Sequence, residues 1–148
     1  MKNMMFVMLL VASICGCKVV ADEAKSDFEK LLDAICIVES NGRADAVGDN
    51  GKAVGAYQLH KIYVDDVNSF PEVKKAGKHY TYEDRLDPEK SREITRWYLV
   101  HYGRVYQNSG KTLTLEVFAR IHNGGPRGYE KSATLSYWAK VKAELDKM

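Results

Sequence analysis

The chain has 148 residues, 45% of them hydrophobic, and carries 22 Lys and Arg against 20 Asp and Glu. This length and composition are typical of one globular domain that folds by itself, and they exclude disordered, collagen-like and coiled-coil chains. The basic surplus, Lys2 and Lys18, lies within residues 1–21, so the rest of the chain has 20 basic and 20 acidic groups. Nucleic-acid-binding proteins usually carry a surplus of Lys and Arg for phosphate contacts, so this class is disfavoured.

The amino-terminal segment has the pattern of an export signal. Lys2 precedes an unbroken apolar run over residues 4–12, and small residues follow the run. Such a run fits the core of a secretory signal, whereas a membrane-spanning helix needs about 20 apolar residues. Two leaders are compatible with the sequence. One is a signal peptide over 1–21. The other, which we favour, is a leader over 1–16 that ends in a segment resembling a bacterial lipoprotein box and leaves a lipid on Cys17 as the only membrane contact.

The cysteines and histidines indicate neither a disulfide framework nor a metal site. Cys36 is the only cysteine of the chain after Cys17, so stability must come from an ordinary core. The histidines lack the spacings that are typical of zinc ligands. We therefore predict no metal and no cofactor.

Residues 22–148 contain no repeat, Pro-rich linker or low-complexity tract, which indicates a single domain. Ser26 or Asp27 is a suitable N-cap for a first helix, and Asn41-Gly42 is a suitable end. Apolar residues inside this segment follow the 3, 4, 7 spacing of an amphipathic helix. They are Phe28, Leu31, Leu32, Ile35 and Val38.

The segment after this helix changes from helical to hairpin character. Short runs of small residues surround Asn50-Gly51, a pair that accepts the positive φ of a tight turn, and they predict a small β-ribbon within residues 44–58. A helix then follows and ends before Pro71, and Asp87 is the predicted N-cap of a long helix. The predicted helices cover residues 61–69, 88 to about 106, 114 to about 122, and 131 to about 145. The predicted fold class is mainly α with a small β-hairpin (α+β).

Glu39 lies on the apolar face of the first helix. It follows Leu32 and Ile35 at helical spacing, so its side chain is expected to face the core. A buried carboxylate is costly unless it is paired or protonated, and a carboxylic acid that stays protonated is suited to general acid catalysis. The alternative is a structural carboxylate that reaches water or pairs with Arg43 or Arg120.

Two ordered blocks of the sequence carry a family resemblance. Glu39-Ser40 is followed by the hairpin and by Gly55-Ala-Tyr-Gln-Leu59, and Ala119-Arg-Ile-His-Asn-Gly-Gly-Pro126 follows about 80 residues after Glu39-Ser40. This order resembles the soluble lytic transglycosylase and goose-type lysozyme superfamily. The resemblance implies a lysozyme-like fold whose groove binds the glycan strand of peptidoglycan, with Glu39 as the catalytic acid.

The resemblance also implies a reaction at the β-1,4 bond between N-acetylmuramic acid and N-acetylglucosamine. In a transglycosylase, Glu39 protonates the leaving oxygen and then deprotonates the muramoyl 6-hydroxyl, which leaves a 1,6-anhydro end. A hydrolase ordinarily needs a second carboxylate. The sequence offers candidates but fixes none of them in place, so we favour the transglycosylase over a lysozyme-type muramidase. The candidates are Asp45, Asp49, Asp65 and Asp66.

Three residues near Glu39 in the sequence match substrate-binding positions of the family. Ser40 follows the acid and orients the helix end. The Gln58 amide binds a sugar N-acetyl group or, alternatively, closes the hairpin with a hydrogen bond. Tyr57 replaces a common Met, and its ring either stacks on a sugar or packs in the core.

The second block adds three more substrate-binding candidates. Asn123 and Gly124 match the family's Asn-x-Gly turn, where Asn123 contacts the glycan or the Glu39 carboxyl group, or only shapes the turn. His122 replaces the usual Tyr, which stabilises developing positive charge, so a catalytic role at this position is in doubt.

Two other functions remain as alternatives. One is a cysteine peptidase that uses Cys36, although Cys36 lies between two isoleucines and fits a small core residue better. The other is a catalytically silent peptidoglycan-binding module, against which the acid on the apolar face argues. We expect a monomer whose partner is the peptidoglycan glycan strand.

Overall fold

The computed structural model describes residues 25–148. Residues 1–24, including Cys17 and both cleavage alternatives, lie outside the described part of the chain, so the leader and the lipid anchor stay predictions. None of the helices within residues 25–148 has the length and apolar character needed to cross a membrane.

The first helix, α1, spans Asp27–Ser40 and confirms the prediction. The Ser26 side chain accepts a hydrogen bond from the backbone N–H of Glu29, and Asn41 ends the helix in the left-handed conformation (φ 56°). The apolar face of α1 is fully buried at Leu31, Leu32, Ala34 and Ile35. Glu39 lies one turn after Ile35 on this inner face, at the end of the helix.

The predicted hairpin is also present. Strands β1 (Val47–Gly48) and β2 (Ala53–Val54) pair antiparallel, with Val47 opposite Val54 and Gly48 opposite Ala53. Residues 49–51 form the turn, in which Asp49 and Asn50 both have positive φ. Asp and Asn accept this conformation more readily than most residues.

Five further α-helices follow within residues 25–148; one of them was not predicted, and the last begins later than predicted. Pro71 is the first residue of a short helix, because proline fits the first helical turn. The last helix begins at Leu135 rather than at residue 131, since the Thr134 hydroxyl donates to backbone carbonyls and holds residues 128–134 in two 3₁₀ turns. The helices are α2 (Lys61–Ser69), α3 (Pro71–Lys75), α4 (Pro88–Asn108), α5 (Leu115–Gly124) and α6 (Leu135–Leu145). The predicted fold class, mainly α with a small β-hairpin, is confirmed.

Helix α1 contacts α4, α5 and α6. Arg92 of α4 ties the amino-terminal half of α1 in place by donating to the side chains of Asp33 (2.6 Å) and Glu29 (2.9 Å). Hydrogen bonds from Arg92 and Arg96 lower the pKa of Glu29 below its usual value. These contacts fix the orientation of the helix that carries Glu39.

The hairpin is held from outside by Arg85. This buried side chain donates to the backbone carbonyls of Leu59 (3.0 Å) and Lys52 (3.3 Å). Gly55, after β2, has a φ of 80°, and a Cβ atom there would lie 1.8 Å from the Arg85 carbonyl oxygen. The close approach therefore requires glycine at this position.

Candidate active site

A cavity of about 560 Å³ opens between the end of α1, the hairpin, α2 and the end of α5. Its lining is rich in side chains that can donate, accept or exchange protons. The polar lining residues are Glu39, Asp49, Gln58, His60, Tyr63, Asp66, Tyr98, His122 and Asn123.

Glu39 lies in the wall of this cavity with 17% of its side chain exposed. Its Oε1 atom accepts a hydrogen bond of 2.7 Å from the Tyr137 hydroxyl, and His122 Nε2 lies 3.3 Å from the same oxygen. Arg43 donates instead to the backbone of Ser40, so the proposed pairing of Glu39 with this arginine is wrong.

The second suggested partner, Arg120, is also engaged elsewhere. Its guanidinium donates to the Glu116 carboxylate at 2.9 Å and to the Thr134 hydroxyl at 2.9 Å. Glu39 is therefore held by a phenol and an imidazole, and its Oε2 atom has no hydrogen-bond partner among residues 25–148. That oxygen is available to a ligand in the cavity.

His122 connects Glu39 to a second phenol. The ring is buried, and its Nδ1 atom lies 3.2 Å from the Tyr63 hydroxyl. Burial, together with the neighbouring Tyr98 and the Glu39 carboxylate, raises the pKa of Tyr63 well above its usual value. A phenol that keeps its proton can donate to Nδ1, and the tautomer satisfying both contacts then places the imidazole proton on Nε2, facing Glu39.

The Tyr137 phenol, like that of Tyr63, keeps its proton and donates it in a hydrogen bond, here to Glu39. Burial and the adjacent Glu39 carboxylate raise the pKa of its phenol well above the usual value. The hydroxyl therefore keeps its proton at any pH at which the protein functions. Because a hydrogen bond to an ionised acceptor is stronger than one to a neutral acceptor, this contact strengthens whenever Glu39 carries a charge.

Two further carboxylates line the cavity. Asp49 lies in the hairpin turn with Oδ2 3.2 Å from His60 Nε2, and Asp66 lies on α2. The sequence alone fixed neither residue in place. Asp49 does form the turn, yet both residues also reach the cavity. Asp45 and Asp65 are exposed and do not line it.

Gln58 and Asn123 also reach the cavity. The Gln58 amide nitrogen donates to the carbonyls of Ala46 (3.1 Å) and Gly55 (2.9 Å). Both amide protons are thus used to close the hairpin, which was the structural alternative for this residue. Asn123 is exposed at the cavity edge and forms no hydrogen bond with Glu39, so its contact with a glycan stays a prediction.

Three sequence candidates do not line the cavity. Tyr57 is 2% exposed and accepts a hydrogen bond from Arg92, so it packs in the core and has no ring face free for a sugar. Ser40 is buried and donates to the Ala56 carbonyl at 2.8 Å. A Cβ atom on Gly124 would lie 2.7 Å from a Thr134 methyl group, so this glycine allows close packing.

Cys36 has no feature of a nucleophile. It is half-buried in α1, lies outside the cavity lining, and burial raises the pKa of its thiol. A catalytic cysteine needs the opposite shift, because the thiolate is the reactive form. Within residues 25–148, no three His, Cys, Asp or Glu side chains are grouped as metal ligands.

The two phenols beside Glu39 and His122 were missed as functional residues. Tyr63 stands 59 residues before His122, and Tyr137 stands 98 residues after Glu39. In the sequence, Tyr137 lies in the last predicted helix beside Trp138, where aromatic residues usually pack in the core. No local motif marks either residue, because tertiary packing alone brings them to the carboxylate.

Comparison with known proteins identifies the family. The model of the Destabilase family matches residues 28–144. The chain is 34% identical to lysozyme 1 of Crassostrea virginica over 78% of its own length, although it spans only 59% of that relative. It is 31% identical to invertebrate-type lysozyme 6 of Caenorhabditis elegans, covering 90% of the chain and 96% of the relative.

Solved structures agree with this result. The Tapes japonica lysozyme is 31% identical and superposes with a TM-score of 0.60 over 77% of this chain and 87% of its own. An inhibitor-bound lysozyme from Meretrix lusoria is 26% identical, with a TM-score of 0.62 over 78% and 88%. These neighbours confirm the lysozyme-like fold, but they do not support a specific relationship to soluble lytic transglycosylases. The chain belongs to the destabilase family of invertebrate-type lysozymes.

Proposed function

We propose that this protein is a muramidase that hydrolyses the β-1,4 bond between N-acetylmuramic acid and N-acetylglucosamine in peptidoglycan. The observation that carries the proposal is the position of Glu39 in the cavity wall, with Oε1 held by Tyr137 and His122 and with Oε2 unpaired. The names of the relatives agree with this activity.

In the first step, the proton on Glu39 Oε2 moves to the glycosidic oxygen as the bond from that oxygen to the muramoyl C1 breaks. The electron pair of that bond leaves with the oxygen, and the Asp49 carboxylate stabilises the positive charge that develops at C1. The carboxylate that results is stabilised by the two donors at Oε1, since hydrogen bonds to a charged acceptor are the stronger ones. In the second step, water adds to C1 and returns a proton to Glu39. General acid–base catalysis of this kind contributes about 10²–10⁴-fold in rate.

The second carboxylate of the hydrolase is Asp49 in this proposal. It lies on the hairpin side of the cavity, and His60 orients its Oδ2 atom. The other candidate, Asp66, accepts a hydrogen bond of 3.3 Å from the Tyr102 phenol. Retaining glycosidases place the two carboxyl groups about 5–5.5 Å apart, and inverting ones about 6.5–9.5 Å apart.

A lytic transglycosylase is the second candidate. The sequence favoured it because no second carboxylate was placed near Glu39. The cavity lining removes that reason, since Asp49 and Asp66 both belong to it. The relatives named above are lysozymes, which also favours hydrolysis.

The localisation follows from the substrate. Peptidoglycan lies outside the cytoplasm, so the export signal predicted at the amino terminus agrees with the proposed activity. The relatives come from animals, and they lend no support to a bacterial lipid anchor on Cys17. We therefore propose cleavage after residue 21 and a secreted, monomeric enzyme.

Mass spectrometry of the muropeptides released by the purified protein tests the proposal. We expect reducing muramic acid ends, their loss in Glu39→Gln and Asp49→Asn, and wild-type activity in Glu83→Gln, an exposed glutamate outside the cavity. Anhydro ends would instead establish the transglycosylase. Full activity in Asp49→Asn together with loss of activity in Asp66→Asn would show that Asp66 is the second carboxylate. Binding to peptidoglycan without release of any product would identify a catalytically silent binding module.

A further inference from the structure

A second groove of about 440 Å³ runs beside the cleavage cavity. The two share His60 and Ile62 in their linings, so they meet at the start of α2. Ile62 is 69% exposed, an unusual position for a large apolar side chain. A ligand that fills the cavity can therefore extend past Ile62 into the groove.

The charges of the two depressions are opposite. The cavity is lined by three carboxylates, whereas every charged residue that lines the groove is basic. Lys52 and Lys61 are exposed, and neither forms an ion pair within residues 25–148. Arg85 adds a buried guanidinium at the base, held by its bonds to backbone carbonyls.

The nearby acids do not cancel this charge. Asp49 lines the cavity and not the groove, with its Oδ2 atom 3.2 Å from His60 Nε2. Asp65 accepts a hydrogen bond from the Tyr82 phenol and lies outside the groove lining. Lys61 lies 4.8 Å from the centre of the Tyr82 ring, which orients the ammonium group without neutralising it. The groove therefore fits an anion.

Peptidoglycan carries suitable anions next to the scissile bond. The lactyl group of each N-acetylmuramic acid is joined to the peptide stem by a neutral amide bond, and the stem itself contains free carboxylates. We propose that the groove binds carboxylates of this peptide stem while the glycan occupies the cavity. The inference rests on the proposed function, and it makes Lys52 and Lys61 specificity-determining residues for peptide-bearing glycan.

The test compares two soluble, uncrosslinked peptidoglycan substrates free of teichoic acid. One keeps its stem peptides; from the other an amidase has removed them, and the lactyl carboxylates that this frees have been converted to neutral amides. The wild-type enzyme should show a lower KM for the peptide-bearing strands. Loss of two exposed ion pairs should raise KM about three- to tenfold. The double variant Lys52→Gln/Lys61→Gln should therefore lose the preference, because its KM for the peptide-bearing strands rises by this factor. Raised salt should reduce the preference of the wild type in the same way.

A matched variant, Lys74→Gln/Lys75→Gln, removes two exposed lysines of α3 that line neither depression, and it should keep the wild-type preference. An equal preference in the wild type and the Lys52/Lys61 variant would overturn the inference while leaving the proposed function intact. A difference that appears only with walls still carrying teichoic acid would assign the groove to phosphate and also overturn it. If neither substrate is cleaved by the wild type, the proposed function itself fails.

Discussion

Tyr137→Phe isolates the contact that holds the Glu39 carboxylate. The change removes one oxygen atom from a residue that is 8% exposed and leaves the ring in place. A hydrogen bond to an ionised acceptor contributes about 1.5–3 kcal/mol. Because Glu39 is 17% exposed and His122 remains at the same oxygen, we expect a value around the lower end of that range, about 1–2 kcal/mol. A loss of this size in the transition state lowers kcat about 5- to 30-fold.

The assay is steady-state hydrolysis of soluble peptidoglycan strands, with kcat and KM measured separately. KM should stay within about twofold of the wild-type value, since Tyr137 is not part of the cavity lining. Tyr129→Phe is the control, because the Tyr129 hydroxyl forms no hydrogen bond within residues 25–148 and its ring packs on another aromatic side chain, that of Tyr106. Wild-type kcat in Tyr137→Phe, or a raised KM with unchanged kcat, would refute the assignment of this phenol to Glu39.

Two further predictions concern stability. Gly55→Ala should lower the free energy of unfolding by about 2–4 kcal/mol in urea titrations, because its methyl group meets the Arg85 carbonyl and its φ is positive; a change below 0.5 kcal/mol would contradict the close approach. Glu29→Gln should cost about 1 kcal/mol at pH 7. Since Arg92 lowers the pKa of Glu29 in the folded state, this contribution is present above the unfolded pKa of about 4.3 and disappears as the pH falls through the folded value. The gap to the wild type should close by about pH 2, and a gap that is equal at both pH values would disprove the coupling.

The elements of the fold were predictable where short-range rules decide them. Apolar spacing and the Ser26 cap defined α1, and Asn50-Gly51 marked the hairpin turn. The same helical spacing placed Glu39 on the inner face, which the structure confirms. The predicted start of α6 was wrong, because the Thr134 hydroxyl bonds to the carbonyls of Gly128 and Lys131 and holds the preceding residues in 3₁₀ turns.

The surroundings of Glu39 were not predictable to the same extent. Neighbours in sequence were poor guides to the cavity, since Tyr57 turns into the core to meet Arg92 while Gln58 faces the cavity. Asp49 and Asp66 lie on the hairpin and on α2, which packs on α3 and α4, and only tertiary structure brings both residues to the cavity at the end of α1. The resemblance gave the correct fold, but the Glu-Ser and Gly-x-x-Gln blocks do not by themselves separate one lysozyme-like family from another.

The partner of the Glu39 carboxylate arrives late in synthesis. Tyr137 follows Glu39 by 98 residues and lies on the last helix of the chain. During synthesis, the Glu39 carboxyl group therefore lacks its hydrogen bond from Tyr137 until nearly the whole chain has left the ribosome. Chains that stop before α6 should consequently lack both this hydrogen bond and the packing of α6 on α1 and α5.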